Sequence, residues 1–131
     1  MRFVLAMHSD DGIKYGVTVP DLPGCFSAGD TFDKAIDAAE EAIESHVELL
    51  MQQGEQLPEA KSIASHKSNT DLAGAEWVVI DVPVEKYFGP AEKINITVPA
   101  ATLRRIDAYA QRHGETRSGF LVRAAERTMR D

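Results

Sequence analysis

Cysteine is almost absent from this sequence: Cys25 is the only one in 131 residues. That excludes an internal disulfide framework and a four-cysteine zinc site. Long apolar runs are missing too, and none approaches the roughly 20 residues that a membrane span needs. A secretory leader is not expected. Met1-Arg2 leads into Phe3-Val4-Leu5-Ala6-Met7, which is too short for an h-region and is followed by no small-residue cleavage site. The compartment expected from these absences is a reducing cytoplasm. Positive charge is scarce: 14 Lys and Arg stand against 21 Asp and Glu, a net of −7 that on its face speaks against nucleic acid. What is present, 44% hydrophobic and 27% charged residues, is an ordinary globular balance rather than a disordered one. The length allows one domain or two small ones.

The average charge hides a division. Residues 1–91 carry 6 basic and 16 acidic side chains, whereas residues 92–131 carry 8 basic and 5 acidic. An acidic body with a basic C-terminal piece suggests two partners of opposite charge.

The apolar run Arg2 to His8 reads as a strand buried on both faces. Asp10-Asp11-Gly12 is a turn, and Tyr15 to Val19 alternates as a second strand. Pro20-Asp21-Leu22-Pro23-Gly24 is a rigid loop. A short third strand is expected at Cys25–Ala28. A helix is expected over about 31–53, capped by Asp30 or Thr31 and ended by Gly54. Phe32, Ile36, Ala39, Ile43, Val47 and Leu50 form its core stripe. Asp33, Asp37, Glu41, Glu44 and Glu48 form a second, acidic stripe. A short helix is expected near 63–69 and a strand over 76–84, with Trp77 in the core. Residues 85–92 read as a linker.

The last 40 residues form a different unit. Lys93-Ile94-Asn95-Ile96-Thr97-Val98 alternates polar and apolar, and Pro99 opens a helix over about 100–112. Leu103, Ile106, Tyr109 and Ala110 are expected inward. Gly114 ends that helix. Thr116 caps a second one over 117–130, with Phe120, Leu121, Ala124, Ala125 and Met129 available for its inner face. So small a unit without metal or disulfide is not expected to be stable alone. Antiparallel pairing of the 93–98 strand with the same strand of a second chain would satisfy its backbone and give a twofold homodimer. Ile94, Ile96 and Val98 would then face the helices, and Lys93, Asn95 and Thr97 would face outward. A two-stranded ribbon fits the major groove of double-stranded DNA. Thr116, Arg117 and Ser118 at the second helix start suit a phosphate.

From Lys93 to Arg130 this pattern resembles the ribbon-helix-helix family of DNA-binding domains. Gly119 departs from it, since many members carry Glu there, which costs a capping-box carboxylate. The bland alternative is an exposed dimerisation strand that meets no DNA.

The string Tyr15-Gly16-Val17-Thr18-Val19-Pro20-Asp21-Leu22-Pro23-Gly24-Cys25-Phe26-Ser27-Ala28-Gly29-Asp30-Thr31, followed by Ala35, Ala38-Ala39 and Glu41-Ala42-Ile43, resembles the HicB antitoxin family over about residues 2–85. The resemblance implies a partial, catalytically dead ribonuclease-H-like sheet that binds a small basic RNA-cleaving toxin, HicA. Many such antitoxins also carry a C-terminal DNA-binding domain. The expected fold is therefore α+β. A β-β-β-α-β ribonuclease-H-like domain spans 1–85, a linker 86–92, and a β-α-α ribbon-helix-helix dimerisation domain 93–131.

Other chemistry finds little support. A live nuclease of this type needs convergent carboxylates on two metal ions. Phe3–Met7 supplies none, and Asp10 and Asp11 fall in a turn. His8, His46, His66 and His113 make no helical pair at metal spacing. Cys25 has no activating neighbour and reads as a small strand residue. Gly16, Gly24 and Gly29 read as turn glycines rather than a phosphate loop. No cofactor, metal or catalytic residue is expected. The acidic stripe is either a solvated face or a docking surface for the toxin. The expected role is an antitoxin that also represses its own operon, as a dimer that N-terminal pairing would raise to a tetramer. The alternative is a transcriptional regulator whose N-terminal domain senses a small ligand in an enclosed apolar pocket.

Overall fold

In the computed structural model, residues 1–130 are described; Asp131, at the end of the expected C-terminal domain, lies outside them. The chain divides into two compact units, Met1–Gly89 and a second that begins at Pro90.

β1 (Arg2–His8), β2 (Tyr15–Thr18), β3 (Phe26–Gly29) and β4 (Glu76–Asp81) form one antiparallel sheet in the order β3-β2-β1-β4. β1 is central, paired with β2 and β4, and this is why Phe3 through Met7 are all buried. The second strand stops at Thr18 and the third starts at Phe26, each one residue short of the expected end. Val19 and Cys25 instead close the intervening loop: Val19 N–H donates to the Cys25 carbonyl, and Cys25 N–H to that of Leu22. Val82 and Val84, expected in the last strand, are fully buried beyond its end, with Val82 N–H bonded to the Met1 carbonyl.

α1 (Phe32–Gln52) lies on one face of the sheet. Thr31 is its cap, accepting from Lys34 N–H at 3.1 Å. Ala35, Ala39, Ile43 and Val47 are its buried line, while Phe32, Ile36 and Leu50 sit half-buried at the margins. The helix comes close to the sheet at Gly29. A Cβ added there would stand 2.3 Å from the backbone nitrogen of Ala35. Gly29 is therefore a contact glycine in β3 and Gly16 a residue of β2, not the turn glycines expected; Gly24, at φ +84°, does turn the chain.

The opposite sheet face is covered in part by α2 (Ile63–Lys67) and the 3-10 turn Thr70–Leu72 that follows, so the expected 63–69 helix ends early. Trp77 is half-buried there rather than in the main core, its ring stacked on His66 at 6.3 Å. The start of the expected linker is part of the first unit. Glu85–Tyr87 forms a 3-10 turn, and Tyr87 packs against the core.

In the second unit, α3 (Ala100–Arg112) and α4 (Arg117–Arg130) are joined through Gly114 at φ +66°. Thr116 Oγ1 accepts from Gly119 N–H at 3.0 Å, so α4 is capped as expected. Ala110 is buried; Leu103, Ile106, Phe120, Leu121 and Ala124 are half-buried. Ala125 and Met129, expected inward, are exposed, because two helices share a single seam and leave their other faces uncovered; Tyr109 lies at the edge of that seam, 36% exposed with its ring against Phe120. Residues 93–98 form neither helix nor ladder in the single chain, where an isolated segment has no strand to pair with.

Candidate functional site

On α1, Asp33, Asp37, Glu41 and Glu48 are exposed, as helical spacing on one face requires. Glu44, expected with them, is engaged elsewhere. The Tyr87 hydroxyl donates to Glu44 Oε2 at 3.1 Å, and Lys86 Nζ stands 3.4 Å from the same oxygen. Glu44 in turn raises the Lys86 pKa above the ordinary ammonium value. Burial, followed by the bond to Glu44, raises that of the Tyr87 hydroxyl. The stripe thus offers four free carboxylates and one that pins the 85–87 turn to the helix.

A second polar pair was not legible in the sequence. Asp21, in the β2–β3 loop, and His66, in α2, are both buried. Asp21 Oδ1 accepts from His66 Nε2 at 2.9 Å and from Lys61 N–H at 3.1 Å. Forty-five positions separate the two side chains, and nothing in either local pattern links them. Cys25 is nearby in sequence but poorly suited to nucleophilic work: it is 3% exposed, and burial pushes its thiol pKa up. Among the described residues no group of three His, Cys, Asp or Glu side chains could hold a metal ion.

In the second unit, Lys93, Asn95 and Thr97 are all exposed. So are Ile94, at 76%, and Ile96, at 58%, while Val98 is half-buried. The expected burial of Ile94 and Ile96 is therefore not met within one chain. Of the three residues expected at a phosphate, Ser118 is exposed, and Thr116 spends an acceptor lone pair on its cap bond. Arg117 is committed: its fork makes two bonds to Asp107, Nε at 2.9 Å and an outer nitrogen at 2.8 Å. That pair holds the Asp107 carboxyl below its ordinary pKa. The two helices are further joined by an aromatic cluster. Tyr109 stacks on His113 at 4.0 Å and meets Phe120 at 5.3 Å, with the Arg123 guanidinium over both Tyr109 and Phe120. Glu115 holds Arg123 in place at 3.1 Å.

Residues 3–125 match the family described as the HicB-like antitoxin of bacterial toxin–antitoxin systems. The chain belongs to this family. Its curated relatives include an uncharacterized 14.9 kDa protein from the rep–hol intergenic region of Haemophilus phage HP1, 44% identical over 113 residues and covering 85% of each chain. Among solved structures, the fold is similar to that of the Burkholderia pseudomallei antitoxin HicB. Identity there is 43%, coverage 96% of both chains, and the TM-score 0.67. The antitoxin HicB3 aligns over 98% of this chain and 97% of its own, at 29% identity and a TM-score of 0.80. A chain of the HicA3–HicB3 toxin–antitoxin complex aligns over 63% of this chain and 98% of its own, at 28% identity and a TM-score of 0.53. The four-stranded antiparallel sheet with helices is thus a HicB antitoxin architecture, and an antitoxin role follows from the family.

Proposed function

We propose that this family member is a two-function antitoxin. Its first unit masks the active site of a small, basic, RNA-cleaving toxin of the HicA type. Its second unit dimerises, binds operator DNA and represses the operon that encodes both proteins. The mechanism is stoichiometric binding, without catalysis by this chain. The match over residues 3–125, which reaches across both units, carries this reading.

The physical case differs between the halves. In the first unit, four free carboxylates on α1 suit a partner rich in Lys and Arg and would speed its association by steering. The partial ribonuclease-H-like reading fits a sheet covered on one face by α1. In the second unit, Ala110 is the buried apolar residue among those described, which is too small a core for independent stability. Pairing residues 93–98 of two chains would bury Ile94 and Ile96 and convert the unit into a ribbon-helix-helix dimer. Lys93, Asn95 and Thr97 from each chain would then line one polar ribbon. Asn can bond adenine with two contacts, Lys can donate to guanine, and Thr can offer a hydroxyl or a methyl. At α4, Ser118, the Thr116 hydroxyl proton and the free backbone N–H groups would take a phosphate. Arg117 joins them by exchanging Asp107 for the phosphate.

Co-expression with the reading frame beside this gene tests the proposal. The product should copurify with this chain, cleave RNA when separated, and lose that activity when recombined. The same preparation should retard DNA from upstream of the operon. A neighbour that neither binds nor cleaves RNA overturns the antitoxin half. Failure to discriminate that DNA from random sequence at matched salt overturns the repressor half.

A further inference from the structure

An open trough of about 530 Å³ lies across one end of the sheet, where β1 ends at His8, β2 begins and β3 ends. Its floor is the cross-strand pair Gly16 and Ala28. Gly16 leaves that floor bare: a Cβ added there would meet no atom within 4 Å. Asp10, Asp30 and Lys14, all three exposed, are among the residues that line it. His8 faces the same side as Gly16, its neighbour in the ladder. Its Nε2 is buried and has no hydrogen-bond partner among the described residues. Phe26, 66% exposed, projects from the same side of β3 two residues before Ala28.

These features ask for a particular occupant. A bare strand floor accepts a flat group lying against the backbone. Two carboxylates among the lining residues accept from a forked donor. The first unit is strongly acidic, with 16 carboxylates against 6 Lys and Arg over residues 1–91, so a cation is drawn to it. A guanidinium meets all three conditions; a compact ammonium gains nothing from the flat floor.

The geometry points to this trough as the seat of an arginine side chain from the basic protein partner, with Asp10 and Asp30 pairing its fork and Phe26 covering its stem. This rests on the toxin-binding reading above and assigns that partner a second contact, separate from the α1 stripe.

The test uses full-length protein in two measurements. In the first, blocked arginine (N-acetyl-L-argininamide) is titrated into labelled protein and backbone amide shifts are followed. Shifts centred on Gly16, Ala28 and His8, larger than those from blocked lysine, support the seat. Shifts that avoid these residues, or that match for both probes, overturn it. In the second, affinity for the copurified neighbour is compared between parent, Gly16→Val and the double variant Asp10→Asn/Asp30→Asn. Val favours a strand and has room here, so it fills the trough without disturbing β2. The expected loss is about tenfold or more for each variant, which is 1.4 kcal/mol per decade. Parent-like affinity in both variants overturns the seat while leaving the antitoxin reading intact. If the parent itself binds no neighbour, the antitoxin reading fails, and the arginine titration alone decides the trough.

Discussion

The imidazole of His66 in α2 and the carboxylate of Asp21 in the β2–β3 loop meet at 2.9 Å inside the first unit. Asp21 also accepts the Lys61 N–H, so one oxygen holds both the approach to α2 and α2 itself. The segment behind α1 is thereby tied to a hairpin loop formed 40 residues earlier. Removing either side chain strands the other in a buried site. Asp21→Ala and His66→Ala should each lose about 1–3 kcal/mol of stability, read as a lower urea midpoint. The double variant should lose less than the sum of the two. Additive losses would show that the pair is not coupled.

Gly29 and Gly16 lie across neighbouring strands, yet a methyl group should separate them sharply. Gly29→Ala drives a Cβ into the backbone of Ala35 and should cost about 1–3 kcal/mol as overpacking. Gly16→Ala meets open space and should be neutral or slightly stabilising. Thermal melts of the two variants under one buffer check the contrast. Equal melting temperatures would mean that α1 can move away from β3 at little cost.

The acidic stripe divides by role. Reversing Asp37, Glu41 and Glu48 to Lys should slow association with the basic neighbour, most at low salt, with little change in stability. Glu44→Ala should instead release the Tyr87 hydroxyl and lower stability while leaving the association rate near that of the parent. Stopped-flow association at two salt concentrations, with a melt for each variant, separates these outcomes. An unchanged rate for the triple reversal would mark the stripe as a solvated face.

At the second unit, Asn95→Ala should weaken operator binding by about 1–3 kcal/mol if the amide reads a base. Lys93→Ala should weaken it as well. Arg117→Ala should reduce affinity for operator and random DNA alike, because a phosphate contact carries no sequence information. A salt-matched titration of the three proteins decides. Parent-like binding of Asn95→Ala would remove the ribbon from the DNA interface.

Burial raises the Cys25 pKa, so the folded state keeps a proton that the unfolded chain gives up. The resulting stability is fully present below the ordinary thiol pKa of about 8.5 and is lost as pH rises through the raised folded value. Between about pH 7.5 and 9.5 the parent should therefore lose more stability than Cys25→Ala, whose side chain does not titrate. Iodoacetamide should label Cys25 slowly in buffer and rapidly in urea. Fast labelling of the native protein would contradict a closed loop at 19–25.

Much of the architecture could be read from local pattern. The continuous apolar run at 2–8 announced a central strand, the three- and four-residue spacing of Ile36, Ala39, Ile43 and Val47 a helix on a sheet, and Thr31, Gly54, Gly114 and Thr116 the helix ends. These are properties of neighbouring residues, set by backbone sterics and by which face an alternating or helical pattern presents. The acidic stripe and the exposure of Lys93, Asn95 and Thr97 were legible for the same reason. Tertiary structure alone decided which of those groups are free. Glu44 lost its place in the stripe to Lys86 and Tyr87, Arg117 was taken by Asp107, and Gly29 became a contact rather than a turn. The Asp21–His66 pair and the trough over Gly16 and Ala28 exist only because distant segments cross. A sequence carries the periodicity that builds an element, but the partner of a charged or bare position is chosen by the fold that brings two elements together.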